Sequence, residues 1–477
     1  MSYLKNSRRG FLKIMGGLGA GIFTGFRPGG KIFAAQSNQM ASAMRPRPAG
    51  AKYMGGFSAP KLETVRCAFI GVGSRGSGHA RQLAEIEGTE IVAISDLYED
   101  LAKRSEQRCK ESGKGTRHQN IALYYGSEDA WKKMLQEVKP DAVFIATPWP
   151  LHTPMGVMAM QNNAHAFIEV PIGQTIEDMW QLVDTSEQTQ RHCMMMENVN
   201  YGREELMYNN MVKQGVIGEL LHGEAAYIHE LRNQMRSVDR GTGSWRTYMY
   251  ANKNGNLYPT HGLGPVAQYM NIARTDDTFS RMVSFSTPAI GRKEYTMKNY
   301  PPPHQWSKLV WKGGDMNVSI IKTHVGRTIL VEWDETNPRP YSRLNLIMGT
   351  KGTLAGFPTR IALEGGVEGA TESQHEWAYE DKLGAIYEKY DHPLYKRLGE
   401  VAVRMGGHGG MDFIMRYRII ECLREGIPLD QNVYEGCLWS AVSPLSEASV
   451  AQDGAPQEFP DFTRGEWKNT KPLTIVS

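Results

Sequence analysis

Val65-Arg-Cys-Ala-Phe-Ile70-Gly71-Val-Gly73-Ser-Arg-Gly76-Ser-Gly-His79 opens a stretch, ending at Ser95-Asp96, whose reading decides the fold. The run Val65–Ile70 predicts a strand, and the spacing of His79, Leu83 and Ile86 predicts a helix after the glycines. A second strand over Glu90–Ser95 ends in Asp96. Strand, glycine-rich turn, helix and strand in this order form a dinucleotide-binding fingerprint. Gly71 permits the tight turn, Gly73 lets backbone approach a pyrophosphate, and Gly76 lets helix pack on strand, with the phosphates at the positive end of the helix. Asp96, about 20 positions past the last glycine, is predicted to hold the adenosine ribose 2′-hydroxyl. A carboxylate there repels a 2′-phosphate, which favours NAD over NADP, and Arg75 in the turn is expected to cover the adenine or pyrophosphate.

Outward from this unit, strands and helices alternate. Glu128–Val138 carries Trp131, Met134, Leu135 and Val138 on one helical face, and Asp141–Thr147 is a continuous apolar run of the kind buried on both sides of a parallel sheet. Its end, Thr147-Pro148-Trp149-Pro150-Leu151-His152, falls at the carboxyl edge, where open α/β sheets bind ligands. His165–Pro171 repeats the pattern, and Cys193–Asn198 predicts one more strand. The expected fold class is therefore α/β, with a doubly wound domain over residues 60–200. From residue 201 to 477 the expectation is an α+β domain. Strands at Gly223–Arg232, Arg281–Thr287, Met316–His324, Thr328–Asp334 and Leu344–Gly349 alternate in character, so its sheet should be largely antiparallel with one face covered, its open face shutting the cofactor cleft. Gly409–Glu425 and Val433–Gln452 are predicted to pack back on the sheet or nucleotide domain.

The 477 residues exceed what one core usually serves, and a net charge of +3 gives no footprint for nucleic acid or an anionic membrane. The N-terminus, Ser7-Arg8-Arg9-Gly10-Phe11-Leu12-Lys13 before a short apolar stretch to Phe26, resembles a twin-arginine export signal and is too short to span a membrane stably. Residues 1–59 are read as signal and linker with little fixed structure, cleaved after Ala35 or Ala43, and the protein as periplasmic or otherwise extracytoplasmic, delivered by the twin-arginine export machinery. Export of a folded dinucleotide enzyme implies a cofactor held tightly and returned to its starting redox state each turnover. The cysteines, Cys67, Cys109, Cys193, Cys422 and Cys437, are scattered and odd in number, and they predict buried thiols without a disulfide framework.

Candidate chemistry centres on Asn256-Leu-Tyr258-Pro259-Thr260-His261-Gly262, expected just before a helix over Pro265–Ile272. His261 suits removal of a hydroxyl proton as hydride leaves the same carbon, against the alternative of a capping or core histidine. His152 and His165 border the predicted cleft, while His79, His118 and His192 read as structural or exposed. Tyr201, Tyr227, Tyr258 and Tyr341 are candidate proton carriers or packing residues. No metal-ligand spacing occurs, so no metal is predicted.

Together, the glycine unit, Ala146-Thr147-Pro148 with His152, Glu169-Val170-Pro171 and Gly215-Val-Ile-Gly218-Glu219 are similar to the glucose–fructose oxidoreductase and inositol dehydrogenase superfamily over about residues 62–450. Dehydrogenases of that group read Glu-Lys-Pro where this chain has Val170, which speaks against an ordinary dehydrogenase. Glu169-Val170-Pro171 with Glu197-Asn198-Val199, Tyr201-Gly202-Arg203 and Tyr258–Gly262 resembles glycoside hydrolase family 109, NAD-dependent α-N-acetylgalactosaminidases. The resemblance implies that NAD is held by Gly71, Gly73, Ser74, Arg75, Gly76, Asp96, Trp149, Pro150, Leu151, His152, Glu169, Val170 and Asn198. It implies substrate contacts from Tyr227, Arg246, Tyr258, Pro259, Thr260, His261 and Tyr341, with His261, Tyr227 and Tyr201 as catalytic candidates. The implied reaction oxidises sugar C3, eliminates the anomeric group, adds water and returns the hydride, unlike the two-carboxylate scheme of most glycosidases. The alternatives are an exported sugar oxidoreductase cycling two sugars on bound NAD or NADP, and a non-catalytic sugar-binding protein. Self-association through the second-domain sheet is a further expectation.

Overall fold

The computed structural model describes residues 45–112 and 117–473, so the twin-arginine stretch lies outside the described residues. Six parallel strands, β1 (Val65–Ile70), β2 (Thr89–Ser95), β3 (Ala122–Tyr124), β4 (Ala142–Ile145), β5 (His165–Ile168) and β6 (Cys193–Met195), form a sheet ordered β3-β2-β1-β4-β5-β6. Apolar residues on both faces of β1, β4 and β5 demand cover on both sides, which helices supply. Across those strands Phe69, Phe144 and Phe167 lie in register, with ring centroids 5.4 and 5.0 Å apart. The strand order reverses between β1 and β4, and that switch point opens the ligand crevice at their carboxyl ends.

The second sheet has nine strands: β7 (Leu220–Ile228), β8 (Phe279–Ser286), β9 (Met316–Thr323), β10 (Thr328–Asp334), β11 (Leu346–Gly349), β12 (Gly352–Ala355), β13 (Arg360–Leu363), β14 (Ala378–Tyr379) and β15 (Gln457–Glu458). All its pairings are antiparallel except β7 with β10, which run parallel at its centre. One face is packed under the helices Thr260–Tyr269 and Val442–Ala451. Gly223 allows that approach, since a Cβ there would meet the Val266 side chain at 2.4 Å. This packed face, with Tyr227 against His261, is the one turned to the nucleotide half. The expectation that the open face closes the cleft is thus corrected: the open face carries Phe285 and Ile320, 56% and 48% exposed, and looks away.

Three further expectations change. The helix expected at Pro265–Ile272 spans Thr260–Tyr269, which puts His261 in its first turn and Pro265 inside. The strand expected to run to Asn198 stops at Met195, and Asn198–Tyr201 forms a short 3-10 turn. Residues 45–59, expected to lack fixed structure, form a packed strap. Tyr53 stacks on Tyr434 at 4.9 Å, the Met54 amide donates to the Tyr434 hydroxyl at 2.9 Å, and Arg47 pairs with buried Glu187 at 3.1 Å. At the other end of the chain, Phe413, Ile414, Ile419 and Ile420 of the Met411–Glu425 helix share one apolar cluster with Val65, Cys67 and Phe69 of β1. All five cysteines are buried and free.

Candidate functional site

The glycine turn hands β1 to the helix Gly76–Leu83 at the switch point. A Cβ on Gly76 would sit 1.9 Å from the Gly71 carbonyl, so helix and turn touch only because that residue is glycine. The helix starts without a side-chain cap and has no acidic residue in its first turn, leaving its positive end for an anion. Asp96, at the end of β2, accepts the Val72 amide at 2.8 Å and the Tyr98 amide at 2.9 Å, tying the turn to the second strand.

Arg75 does not lie free over the crevice. Its guanidinium is shared between Glu169, 2.6 Å from Nε, and Asp412, 2.6 Å from Nη1. Asp412 also accepts from Asn198 Nδ2 at 2.8 Å and faces His408 Nδ1 at 2.9 Å. Beneath, His79 joins Glu169 through Nε2 at 2.7 Å and accepts from Arg416 Nε at its other nitrogen, also at 2.7 Å. Those partners assign His79 as a neutral ring protonated on Nε2. Burial first, and the Arg416 cation next, lower its pKa to about 4. Burial alone would raise the Glu169 and Asp412 carboxyls, but the surrounding cations hold both well below their ordinary range.

Across the crevice stands an aromatic wall. The rings of Tyr227 and Tyr258 lie 4.8 Å apart, and His261 meets them edge-on at 5.2 and 5.0 Å. His261 Nδ1 lies 2.7 Å from Glu197 Oε1, on a fully buried carboxylate just past β6. Nδ1–H donates to that carboxylate, which leaves the Nε2 lone pair for a proton. Gly262 permits this seating, since a Cβ there would be 2.3 Å from the Ala226 amide of β7. Half-buried Arg246, in the helix Thr242–Asn252, lies over Trp149 at 4.8 Å and Tyr258 at 5.2 Å, and its Nε is buried without a partner. Tyr341 stands edge-on to Tyr227 at 6.3 Å, its hydroxyl accepting from Arg343 at 2.8 Å.

Profiles of two families match this chain: the oxidoreductase family, NAD-binding Rossmann fold, over residues 65–197, and glycosyl hydrolase 109, C-terminal domain, over residues 201–469. A glycosyl hydrolase family 109 protein of Akkermansia muciniphila is 60% identical over 99% of both chains, and one of Shewanella baltica is 50% identical over 98% of both. The chain belongs to glycosyl hydrolase family 109. Solved relatives of this family 109 chain share its fold at low identity. A levoglucosan dehydrogenase in complex with NADH has a TM-score of 0.61 at 16% identity, covering 83% of this chain and 100% of that one. An apo scyllo-inositol dehydrogenase from Lactobacillus casei has 0.57 at 12%, covering 84% and 99%.

The match of residues 65–197 to the NAD-binding Rossmann family makes NAD the cofactor of the nucleotide domain. The residues present fit it: the helix end is uncapped, the Cβ position of Gly73 opens on free space, and Asn198 Oδ1 is buried without a partner. Ser74, Pro150 and Leu151 are exposed along this edge, and Val170 is buried beside Glu169. Trp149 turns inward to meet Trp245 at 5.1 Å, joining the two halves. Both ring nitrogens of His152 face carbonyls, Pro171 at 2.7 Å and Thr147 at 2.9 Å, so this residue braces the strand ends. Pro259 and Thr260 are buried, leaving His261 as the reachable member of its motif.

Tyr201 is the correction among the catalytic candidates. It is 3% exposed in the apolar cluster behind the sheet, and its hydroxyl donates to Asp430 at 3.2 Å, away from the aromatic wall. Four residues of the site have no role assigned from the sequence, Glu197 among them although it stands in a quoted motif. Glu197 precedes Asn198 at a strand end, and His229 follows Tyr227 by two positions on one extended segment, a same-face spacing that alternation could have shown. His408 and Asp412 follow Gly406-Gly407, and only the fold brings them 333 and 337 positions back to Arg75. Among the described residues no group of histidine, cysteine or carboxylate side chains is arranged to hold a metal ion.

Proposed function

We propose that this family 109 protein hydrolyses terminal α-N-acetylgalactosamine residues through oxidation, elimination, water addition and reduction on a retained NAD. The observation that carries the reading is the His261–Glu197 pair, 2.7 Å apart, beside Tyr227 and Tyr258 where the packed sheet faces the switch point. NAD, when bound, would supply a reversible hydride acceptor for C3 of the sugar. His261 Nε2 takes the C3 hydroxyl proton, and Glu197 orients the ring and balances the imidazolium charge. Tyr227 removes the C2 proton that the neighbouring ketone has made acidic. Arg246, caged by Trp149 and Tyr258, offers its unpartnered Nε–H to a polar substituent of the sugar. The lack of a lysine at Val170 supports a cycle without net oxidation.

The paired arginines Arg8-Arg9 support export by the twin-arginine route to an extracytoplasmic compartment, where a self-restoring cofactor is an advantage. Exposed Phe285 and Ile320 on the open sheet support self-association. The test is a panel of nitrophenyl glycosides offered to purified protein without added cofactor. Release from the α-N-acetylgalactosaminide, with NAD recovered from the same preparation, is the expected result. Oxidised sugar accumulating from a pair of free sugars would replace this reading by the oxidoreductase one.

A further inference from the structure

We infer that Tyr227 and His229 act as a proton-passing pair, with His229 as the positioning residue that turns the Tyr227 hydroxyl into a base toward the sugar C2–H. The inference rests on the oxidation–elimination reading above. Tyr227 lies in β7, and His229 lies just beyond its end, on the same side of the extended chain. The Tyr227 hydroxyl and His229 Nδ1 lie 2.9 Å apart, a contact in which the phenol donates when the imidazole carries its proton on Nε2, and the rings meet edge-on at 5.6 Å. Tyr341 closes the outer side of His229 at 4.9 Å, and His261 stands 5.2 Å from the other side of Tyr227.

A tyrosine is a poor proton acceptor while it keeps its own proton. Burial pushes the Tyr227 phenol well above its ordinary value, and Glu335 and Tyr258 push it further, so a free phenolate is not the resting form. The proton must therefore leave as the new one arrives, and His229 is the group in contact to take it. Burial also lowers the His229 imidazole; Glu335 and Glu230 oppose that effect, while His261 and His408 reinforce it, so it begins neutral with Nδ1 open to the phenol.

The step balances within the site. As the C2–H bond breaks, its proton goes to the Tyr227 oxygen, the Tyr227 proton goes to His229 Nδ1, and the electron pair forms the enolate with the C3 carbonyl. The enolate re-forms the carbonyl, a C1=C2 double bond develops, and the C1–O bond breaks with its pair on the aglycone oxygen. That oxygen takes a proton from water, and the hydroxide left behind adds to C1. Tyr227 then returns a proton to C2 and His229 gives its proton back to Tyr227, so no oxidant or reductant beyond the cycle is needed.

The test replaces His229 by glutamine, which still accepts the phenol hydrogen bond and has no proton affinity to offer. In deuterated water, H229Q should lose roughly 100-fold or more both in nitrophenol release and in deuterium exchange at C2, as expected for removal of a general base. KM and the NAD content of the purified protein should stay at wild-type levels. Added imidazole should restore part of the rate to His229→Ala. Exchange and release at wild-type rates in H229Q would overturn the pair. So would a loss accompanied by lost NAD, or an alanine variant that imidazole leaves unmoved, because either marks a structural role. A wild-type enzyme that hydrolyses its glycoside with no deuterium at C2 would instead overturn the cycle, and the pair with it.

Discussion

Glu197→Gln removes a charge from behind His261 while leaving an oxygen that can still accept the Nδ1–H bond. Glu197 is fully buried, its Oε1 takes His261 Nδ1 at 2.7 Å and the Val199 amide at 3.2 Å, and Oε2 has no partner. The carboxylate thus faces one group able to become cationic during turnover. With charge centres about 4.5 Å apart and an effective dielectric constant of about 20, imidazolium and carboxylate attract by roughly 3 to 4 kcal/mol. Nearly all of that is realised only once His261 holds the C3 hydroxyl proton, so it belongs to the transition state. Its loss should lower kcat about 10²- to 10³-fold with KM nearly unchanged. The assay is steady-state release of nitrophenol from the α-N-acetylgalactosaminide, with NAD content and urea midpoint measured on the same samples. A variant within about threefold of the wild-type kcat would refute the assignment of His261 as the base that Glu197 supports.

Four other outcomes follow from the same geometry. Asp412→Asn leaves Arg75 and buried Arg416 short of a counter-charge and should cost about 3 kcal/mol in urea unfolding while NAD is lost on dialysis; an unchanged midpoint would count against the network. His79 and His392, lowered to about 4 by burial, bind protons less readily folded than unfolded, where such rings titrate near 6.5. Their contribution is complete above about pH 6.5 and is lost as the pH falls toward 4, so the unfolding free energy from urea titration should drop between pH 7 and 5 by about 1–2 kcal/mol per histidine, and a flat profile would contradict it. Arg240 lies 4.1 Å over the Tyr98 ring and 2.9 Å from Asp100, reaching from the second half across the strand end that carries Asp96. Arg240→Ala should barely change stability yet speed NAD loss several-fold on dialysis, as expected of an exposed pair that covers a ligand edge. Tyr201→Phe should keep kcat within about twofold and lose about 1 kcal/mol of stability, the worth of its hydrogen bond to Asp430.

Local chemistry made much of the nucleotide half readable. Glycines stand where backbone must approach backbone, as at Gly76, and doubly buried strands such as Ala142–Ile145 leave unbroken apolar runs. Strands of the second sheet were readable because one face is wet, but the parallel pairing of β7 with β10 depends on a crossover that alternation does not encode. Pro265 resembles a first-turn proline, so the sequence signal sets the start of the His261 helix too late. Here the proline lies five residues inside, where its missing N–H leaves the His261 carbonyl without the usual helical donor. Arg75 was expected to lean on the cofactor, and its partner Asp412 stands 337 positions away, a distance that no local pattern bridges. Tyr201 sits in a motif-like run, yet the turn Asn198–Tyr201 points its ring into the core rather than the crevice.

In the proposed cycle a borrowed hydride makes C2–H acidic before the glycosidic bond breaks. Hydrolysis of the α-N-acetylgalactosaminide in deuterated water, followed by mass and NMR analysis of the released sugar, tests it most directly. Deuterium at C2, in an enzyme given no external NAD, is the predicted result; a released sugar that keeps its original hydrogen at C2 throughout turnover would contradict it.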